Sequence, residues 1–414
     1  MSRPVHCRCF SAVALFLLLI WPAGCAQKGE SPASPSSIPT IRVRLLEGQS
    51  QVTVASTDSV AFREAPGVNP RPINVPRRTP VPVLRTPSGW RIGDLNVDAS
   101  ELTLLPLGAD SHLSINGRPY RGDFRLVPLA SGKFDVVNVL DLESYLKGVL
   151  AKELLRDWHE EAYRAQAIVA RTYAIYEIKM GGSGRYWDVH PDERSQVYGG
   201  IGAENGLSRS AADATAGVVV AYGPKGQEKI FKAYFSACCG GISQSSADAF
   251  GEKPFPPLSD QNVGARCNAS PRFNWGPVVI EKKELTRRFR KWGAARDRAE
   301  KDMGEVEQIA IAFTNKWGRP VRFNVTDEKG KRYSLSGTEL RYAINMSGTP
   351  DTTIYSSFCT PSDAPTAVRF VDGHGNGHGV GLCQYCAQAQ AESGVAHEDI
   401  VIGAFPGASL QRGY

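Results

Sequence analysis

The stretch EEAYRAQAIVARTYAIYEIK, residues 160 to 179, constrains the chain most. Wound as a helix, it carries alanine or another apolar residue on most sides. It therefore needs neighbours on most sides and must lie in the interior. Asp157, with Glu160 three positions later, has the spacing of a capping box and predicts a helix start there, with the helix running to about Lys179. Just upstream, DLESYLKGVLAK puts Leu142, Tyr145, Leu146 and Val149 on one stripe, predicting a short amphipathic helix.

The flanking sequence has a different period. From Thr40 to about Val139, short alternating runs such as IRVRLL, QVTVAS and FDVVNVL are broken by Gly, Pro and Asn, which predicts antiparallel strands. Pro is dense between Pro66 and Pro87, the mark of a long loop at a sheet edge. Charged helical sequence from Glu281 to Asp302 precedes alternating runs, VEQIAIAF, VRFNVTD and RYSLSG. The expected fold class is α+β: a mixed β-sheet core, a central buried Ala-rich helix and an inserted α/β subdomain. The expected divisions are an N-terminal β region with the main core over 40–274, the insertion over 275–350, and the rest of the core over 351–414. With 42% apolar and 22% charged residues, the 414-residue chain has ample material for such a core.

Residues 1–25 have a basic start, an apolar run from Ala12 to Trp21 and small residues before Cys25. The run is too short to span a bilayer and reads as a secretory signal. PAGC resembles a bacterial lipobox, in which Cys25 is the lipidation site, and the Pro/Ser-rich segment 26–39 suits a tether. The chain is expected in the cell envelope, in the periplasm, held to a membrane only through this lipid, with the outer membrane favoured by Ala26. The net charge of +6 falls to about +4 without Arg3 and Arg8, too weak and dispersed to imply a nucleic-acid partner.

Beyond the leader six cysteines remain: Cys238, Cys239, Cys267, Cys359, Cys383 and Cys386. An exported location and an even count favour disulfides, with the pairing open. The stretch DGHGNGHGVGLCQYC offers a second reading, a structural zinc held by His374, His378, Cys383 and Cys386. The histidines lie among glycines rather than on one helical face, so no cofactor is expected. The glycines instead suggest a loop whose amides approach a ligand, feeding a helix from Gln384.

Glu153 sits among Leu150, Leu154 and Leu155, with Trp158 close in sequence. An apolar setting raises a carboxyl pKa and suits a general acid, although a surface helix-end glutamate would have the same spacing. Arg164 and Arg171 are seven apart on one helical face, and Gln166 and Tyr173 seven apart on another. Such guanidinium forks can hold sugar substituents or pair with acids.

LESYLKGVLAKELLRDWHEEAYRAQAIVARTYAIY, SQVYGG, KAYFSACCGGISQSSADAFG, LSGTELRYAI with IYSSFC, and GHGVGLCQYCAQAQAESG follow one another in an order that resembles the stage II sporulation protein D family (SpoIID/LytB domain), over roughly residues 40 to 412. The resemblance implies a lytic transglycosylase that cuts the glycan strands of peptidoglycan, usually after stem-peptide removal, and leaves a 1,6-anhydro end. It carries the catalytic acid onto Glu153 and the family's basic positions onto Arg164 and Arg171. It also lines the cleft with His378, Gln384 and Tyr385; Gln166, from its place on the neighbouring helical face, is a further substrate-binding candidate. The chain departs from the family pattern in FSACCGG, where HSTSGG is usual, in GLCQYCA for GMSQYGA, and in Arg164 for lysine. Zinc-binding members use an HCQVY region that here reads HPDERSQVY, leaving only His190. The paired changes to cysteine imply disulfides joining the CCGG turn to CNASPRFNW or to CQYC. Two further readings stay open: a glycan-binding or amidase-enhancing protein with a cell-wall amidase as partner, and a zinc hydrolase.

Overall fold

The computed structural model describes residues 37–414 apart from positions 66, 74, 75, 109, 182 and 183. The leader over 1–25 with its lipidation site Cys25, and all but the end of the tether over 26–39, lie outside these residues. Among the described residues no helix is long and apolar enough to cross a membrane.

The alternating runs after Thr40 form two six-stranded sheets. One orders Thr40–Gln49, Phe134–Asp141, Asp123–Pro128, Leu102–Leu107, Ser59–Arg63 and Arg71–Ile73; the other contains Gln51–Ser56, Val81–Thr86 and Gly89–Ile92. The alternation gives each strand an inward set, Ile41 and Val43 on one sheet and Val52 and Val54 on the other, and these share one core. Trp90 and Phe134 meet across it edge to face, ring centres 5.2 Å apart.

The strand Phe134–Asp141 runs straight into helix α1, Leu142–Glu153. Asp141 caps α1 by accepting from the Ser144 amide at 2.8 Å. The predicted stripe of Leu142, Tyr145, Leu146 and Val149 is buried against the sheets.

Helix α2, Glu160–Gly181, is the expected central helix. Tyr163, Ala167, Ala170 and Ala174 complete the core shared with the sheets, while Ala165, Ile168, Val169 and Tyr173 belong to a second core with Val380, Leu382 and Phe405. Two cores on one helix explain why its sequence lacks a polar face. Its start differs from the expectation: Asp157 is exposed and no cap, and the Glu161 amide donates instead to His159 Nδ1 at 3.2 Å.

The expected insertion has its own core, with Phe289, Trp292, Phe323, Leu335 and Phe370. The strand Val278–Glu281 finds its antiparallel partner beyond residue 350, in Ala367–Val371. The helix Gly337–Asn345 starts at a capping box, Ser336 accepting from the Glu339 amide and Glu339 from the Ser336 amide.

Candidate functional site

Glu153 is the last residue of α1, where the helix gives way to extended chain at Leu154. Its carboxylate lies in a cavity of about 460 Å³ lined also by Tyr173, Glu193, Arg194, Lys232, Tyr234, Arg341, His378 and Gln384.

Two distant segments hold the carboxylate. The Val197 amide donates to Oε1 at 2.9 Å, and Gln384 Nε2 donates to Oε2 at 3.2 Å. Val197 is set in place from both sides. Arg42 pairs with Asp188 at 2.6 Å before it in the chain, and Gln196 spans Tyr145 Oη at 3.2 Å and the Ala170 carbonyl at 3.3 Å. The SQVYGG motif is thus the strap that brings a backbone donor to the acid. Gln384, 4% exposed, opens the helix Gln384–Glu392 and so faces back across the cavity.

Burial raises the Glu153 pKa above the ordinary carboxylate value; the Val197 and Gln384 hydrogen bonds oppose the rise and the charge of Glu193 adds to it. A carboxyl that keeps its proton further into the neutral range, with a donor on each oxygen, is equipped to give that proton up and then to be held as carboxylate.

His378 forms part of the aromatic wall, its ring 5.8 Å from Tyr234 and 5.3 Å from Phe250. Burial, with Arg341 and Arg319 adding to it, lowers its pKa to about 3, so the ring is neutral and its Nδ1 accepts from the Val380 amide at 3.0 Å. Lys232 pairs with Glu177 at 2.8 Å. Arg341, by contrast, forms no ion pair among the described residues, and its Nε has no hydrogen-bond partner. It is the cation of the wall without a protein carboxylate.

Four expected site residues are not on this wall. Arg171 is 0% exposed, and its guanidinium forks onto Glu143 at 2.9 and 2.8 Å while also donating to Thr215 and the Ala212 and Val218 carbonyls. The expectation that it faces a sugar is corrected: a buried acid on α1 takes its Nε and Nη2, and Thr215 and two carbonyls take the remaining donors. Arg164 pairs with Glu160 at 2.6 Å and Glu161 at 2.7 Å on its own helix. Gln166 is buried, with neither amide atom partnered. Tyr385 packs edge-on against Trp158, ring centres 4.9 Å apart. The residues missed, Glu193, Arg194, Lys232, Arg341 and Tyr342, had one signal: Arg341 and Tyr342 stand in LSGTELRYAI, and Glu193 and Arg194 just before SQVYGG.

The glycine-rich loop is also corrected. Its amides are bonded within the protein, Gly375 to the Phe273 carbonyl, Gly377 to that of Tyr355 and Gly379 to Ser236 Oγ. Glycine is needed for approach: at Gly381, φ +70°, a Cβ would meet the Tyr234 carbonyl oxygen at 2.1 Å. The expected zinc quartet is not assembled, since His374 packs against Phe358 and His378 lines the cavity. His190 stands 3.6 Å from Glu47. All six cysteines are free thiols. The expected neighbours of the CCGG turn are indeed adjacent, Cys239 Sγ lying 3.7 Å from that of Cys267 and 4.0 Å from that of Cys386, but in contact rather than bonded. Cys359 is buried apart, in the insertion core.

Residues 130–222 match the family described as stage II sporulation protein (SpoIID). A protein of Brachyspira hyodysenteriae described only as uncharacterized is 28% identical over 290 residues, 70% of this chain and 71% of that protein. The amidase enhancer of Bacillus subtilis is 24% identical over 299 residues, which are 64% of this chain but only 40% of the relative. The matched segment holds Glu153, α2 and the strap through Val197, whereas Lys232, Arg341, His378 and Gln384 come from beyond it. Over residues 130–222, then, the chain is similar to the SpoIID, stage II sporulation protein, family.

Proposed function

We propose that the chain is an exported lytic transglycosylase that cuts peptidoglycan glycan strands with Glu153 as acid and base. The observation that carries this reading is one carboxyl with a raised pKa, held by Val197 and Gln384 in a cavity of about 460 Å³. Protonated Glu153 gives its proton to the glycosidic oxygen between the muramic acid and glucosamine units as the bond to the anomeric carbon breaks. The 6-hydroxyl of the same muramic acid closes on that carbon, and the Glu153 carboxylate takes the hydroxyl proton. Acid and product are restored without water, so one carboxyl suffices where a hydrolase needs two.

The cavity wall supports such a substrate. Tyr173, Tyr234, Phe250 and the neutral His378 offer apolar faces to a sugar ring. Arg341 suits the lactyl carboxylate that a muramic acid exposes once its stem peptide is gone. Such glycan lies in the cell envelope, in keeping with the export expected from residues 1–25.

Glu193 on the same wall favours a second reading, a hydrolase in which it activates water. Mass spectrometry of products from amidase-treated sacculi tests both. Anhydro ends that disappear in Glu153→Gln support the transglycosylase; reducing ends that disappear in Glu193→Gln support the hydrolase. Release of nothing, with glycan or amidase binding retained, supports the role that the name of the Bacillus subtilis relative describes.

A further inference from the structure

Four of the six thiols converge. Cys239, Cys267, Cys383 and Cys386 are buried, and their Sγ atoms all lie within 4.8 Å of one another. They come from three separated places: the turn after the strand Phe235–Ser236, the short helix Gly264–Cys267, and the Cys-x-x-Cys that opens the helix Gln384–Glu392. We propose that these four cysteines form a structural zinc site, a tetrathiolate that locks the base of the catalytic cavity.

The spacing matches the ion. A tetrahedral zinc with bonds of about 2.3 Å holds its sulfurs about 3.8 Å apart. The contacts from Cys239 to Cys267 and to Cys386 are 3.7 and 4.0 Å. An iron–sulfur cluster, in which the thiolates bind separate irons that sulfides bridge, would hold the four cysteines wider. Disulfides would satisfy them only in pairs at bonding distance.

The surroundings fit as well. Four thiolates on a divalent ion leave two negative charges, which need compensation in an apolar interior. Arg319 supplies a cation: it is 0% exposed, forms no ion pair among the described residues, and donates to the Cys239 carbonyl at 2.9 Å and that of Ile242 at 2.6 Å. Its other contacts, the His378 carbonyl at 3.3 Å and the Phe358 ring, bring no negative charge. The Cys239 amide points at Cys383 Sγ across 3.3 Å, the kind of backbone donor that steadies a metal-bound sulfur. A cavity of about 40 Å³, lined by Cys239, Cys383 and Cys386, gives an ion access.

The site bears on the cavity through the chain itself. Cys383 directly precedes Gln384, the donor to Glu153 Oε2, so fixing Cys383 and Cys386 fixes the first turn of that helix. Gln384 is in this sense a positioning residue whose own position depends on the thiolates.

The test is metal content of the full chain and a count of thiols at the six cysteines beyond residue 25, read peptide by peptide, neither of which depends on glycan cleavage. Elemental analysis is expected to find one zinc per chain. Cys267→Ser and Cys386→Ser should each lower it at least tenfold, and Cys238→Ser and Cys359→Ser, whose sulfurs lie outside the group of four, should leave it unchanged. Should the first two variants fail to fold, the unmutated chain still decides: alkylation in denaturant with a chelator and no reductant labels six thiols if zinc held four of them. Cobalt exchanged for zinc should give the strong visible bands of tetrahedral thiolate coordination. Two labels, showing two disulfides, or six labels on metal-free protein, or bound iron with inorganic sulfide, each overturns the proposal.

Discussion

Gln384 and Glu153, separated by 231 positions in the chain, meet across 3.2 Å, and the bond joins the end of α1 to the start of the helix Gln384–Glu392. The acid at the end of one helix is thereby held by the first residue of another. Substitution at either end should be felt as a change in proton affinity as well as in geometry.

Glu153→Gln preserves shape and the Val197 bond but has no proton to give, so cleavage of peptide-free glycan should fall at least about a thousandfold. Stability should move the opposite way. Because burial raises the Glu153 pKa, the folded state binds more protons than the unfolded state in the window above the ordinary carboxylate value, and stability falls as pH rises through it. The substitution removes that fall. Thermal unfolding at neutral pH should show a higher Tm for the variant, and at acid pH no difference; a lower Tm at neutral pH would contradict the buried, proton-retaining carboxyl.

Glu193 adds to the raised Glu153 pKa through its charge. In Glu193→Gln the Glu153 pKa should drop, and the basic limb of the pH–rate profile should move to lower pH with anhydro products unchanged. An unmoved limb would mean that the two carboxylates do not sense each other.

Arg341→Ala should raise KM on peptide-free glycan about tenfold with kcat little altered, the loss expected for one charge-assisted contact present in both ground and transition states. On glycan that keeps its stem peptides, where the lactyl group is an amide, the change should be much smaller. Equal effects on both substrates would remove Arg341 from lactyl recognition.

Arg171→Met leaves Glu143 buried without its fork, and stability should fall by about 3 kcal/mol or more in denaturant titration. Any activity that survives in the folded fraction should keep the KM of the unaltered protein, because Arg171 is absent from the cavity wall.

His378 is neutral in the fold down to about pH 3, whereas an unfolded histidine takes up its proton near pH 6.5. The unfolded state binds more protons in this interval, so stability is lost as pH falls across it. His378→Gln should flatten the acid side of the stability curve, measured as denaturation midpoints at a series of pH values.

The parts legible in the sequence were those written in periodicity. The inward sets of the strands, the α1 stripe and the all-round apolar face of α2 follow from repeats of two and of 3.6 residues, and each recurs in the fold. Glu153 stood out among Leu150, Leu154 and Leu155, yet it is half-buried and Leu155 is exposed, so its setting comes from the cavity rather than from these neighbours alone. The partners of buried charges were not: Arg171 and Arg164 have the same helical spacing, yet one is enclosed by Glu143 from another helix and the other meets Glu160 and Glu161 on its own. The cysteine quartet was partly legible: the resemblance set the CCGG turn beside CNASPRFNW or CQYC, but that all four converge follows only from the parallel pairing of Phe235–Ser236 with Leu382–Cys383 and the packing of a short helix beside it. Arg341 stands in the motif LSGTELRYAI, but that its side chain reaches the cavity wall is not written in any local period.

The strand pairing of Val278–Glu281 with Ala367–Val371 has a consequence for how such a protein can diversify. The segment between them leaves and rejoins the chain about 4.8 Å apart, the spacing of neighbouring strands. It can therefore be lengthened, shortened or replaced as a cassette while the ends of the scaffold stay where they are. Since Arg341 and Tyr342 ride on it and Glu153 does not, exchange of this module would retune which polymer is gripped, provided that Arg319, which rides on it too and donates to the Cys239 carbonyl, is kept.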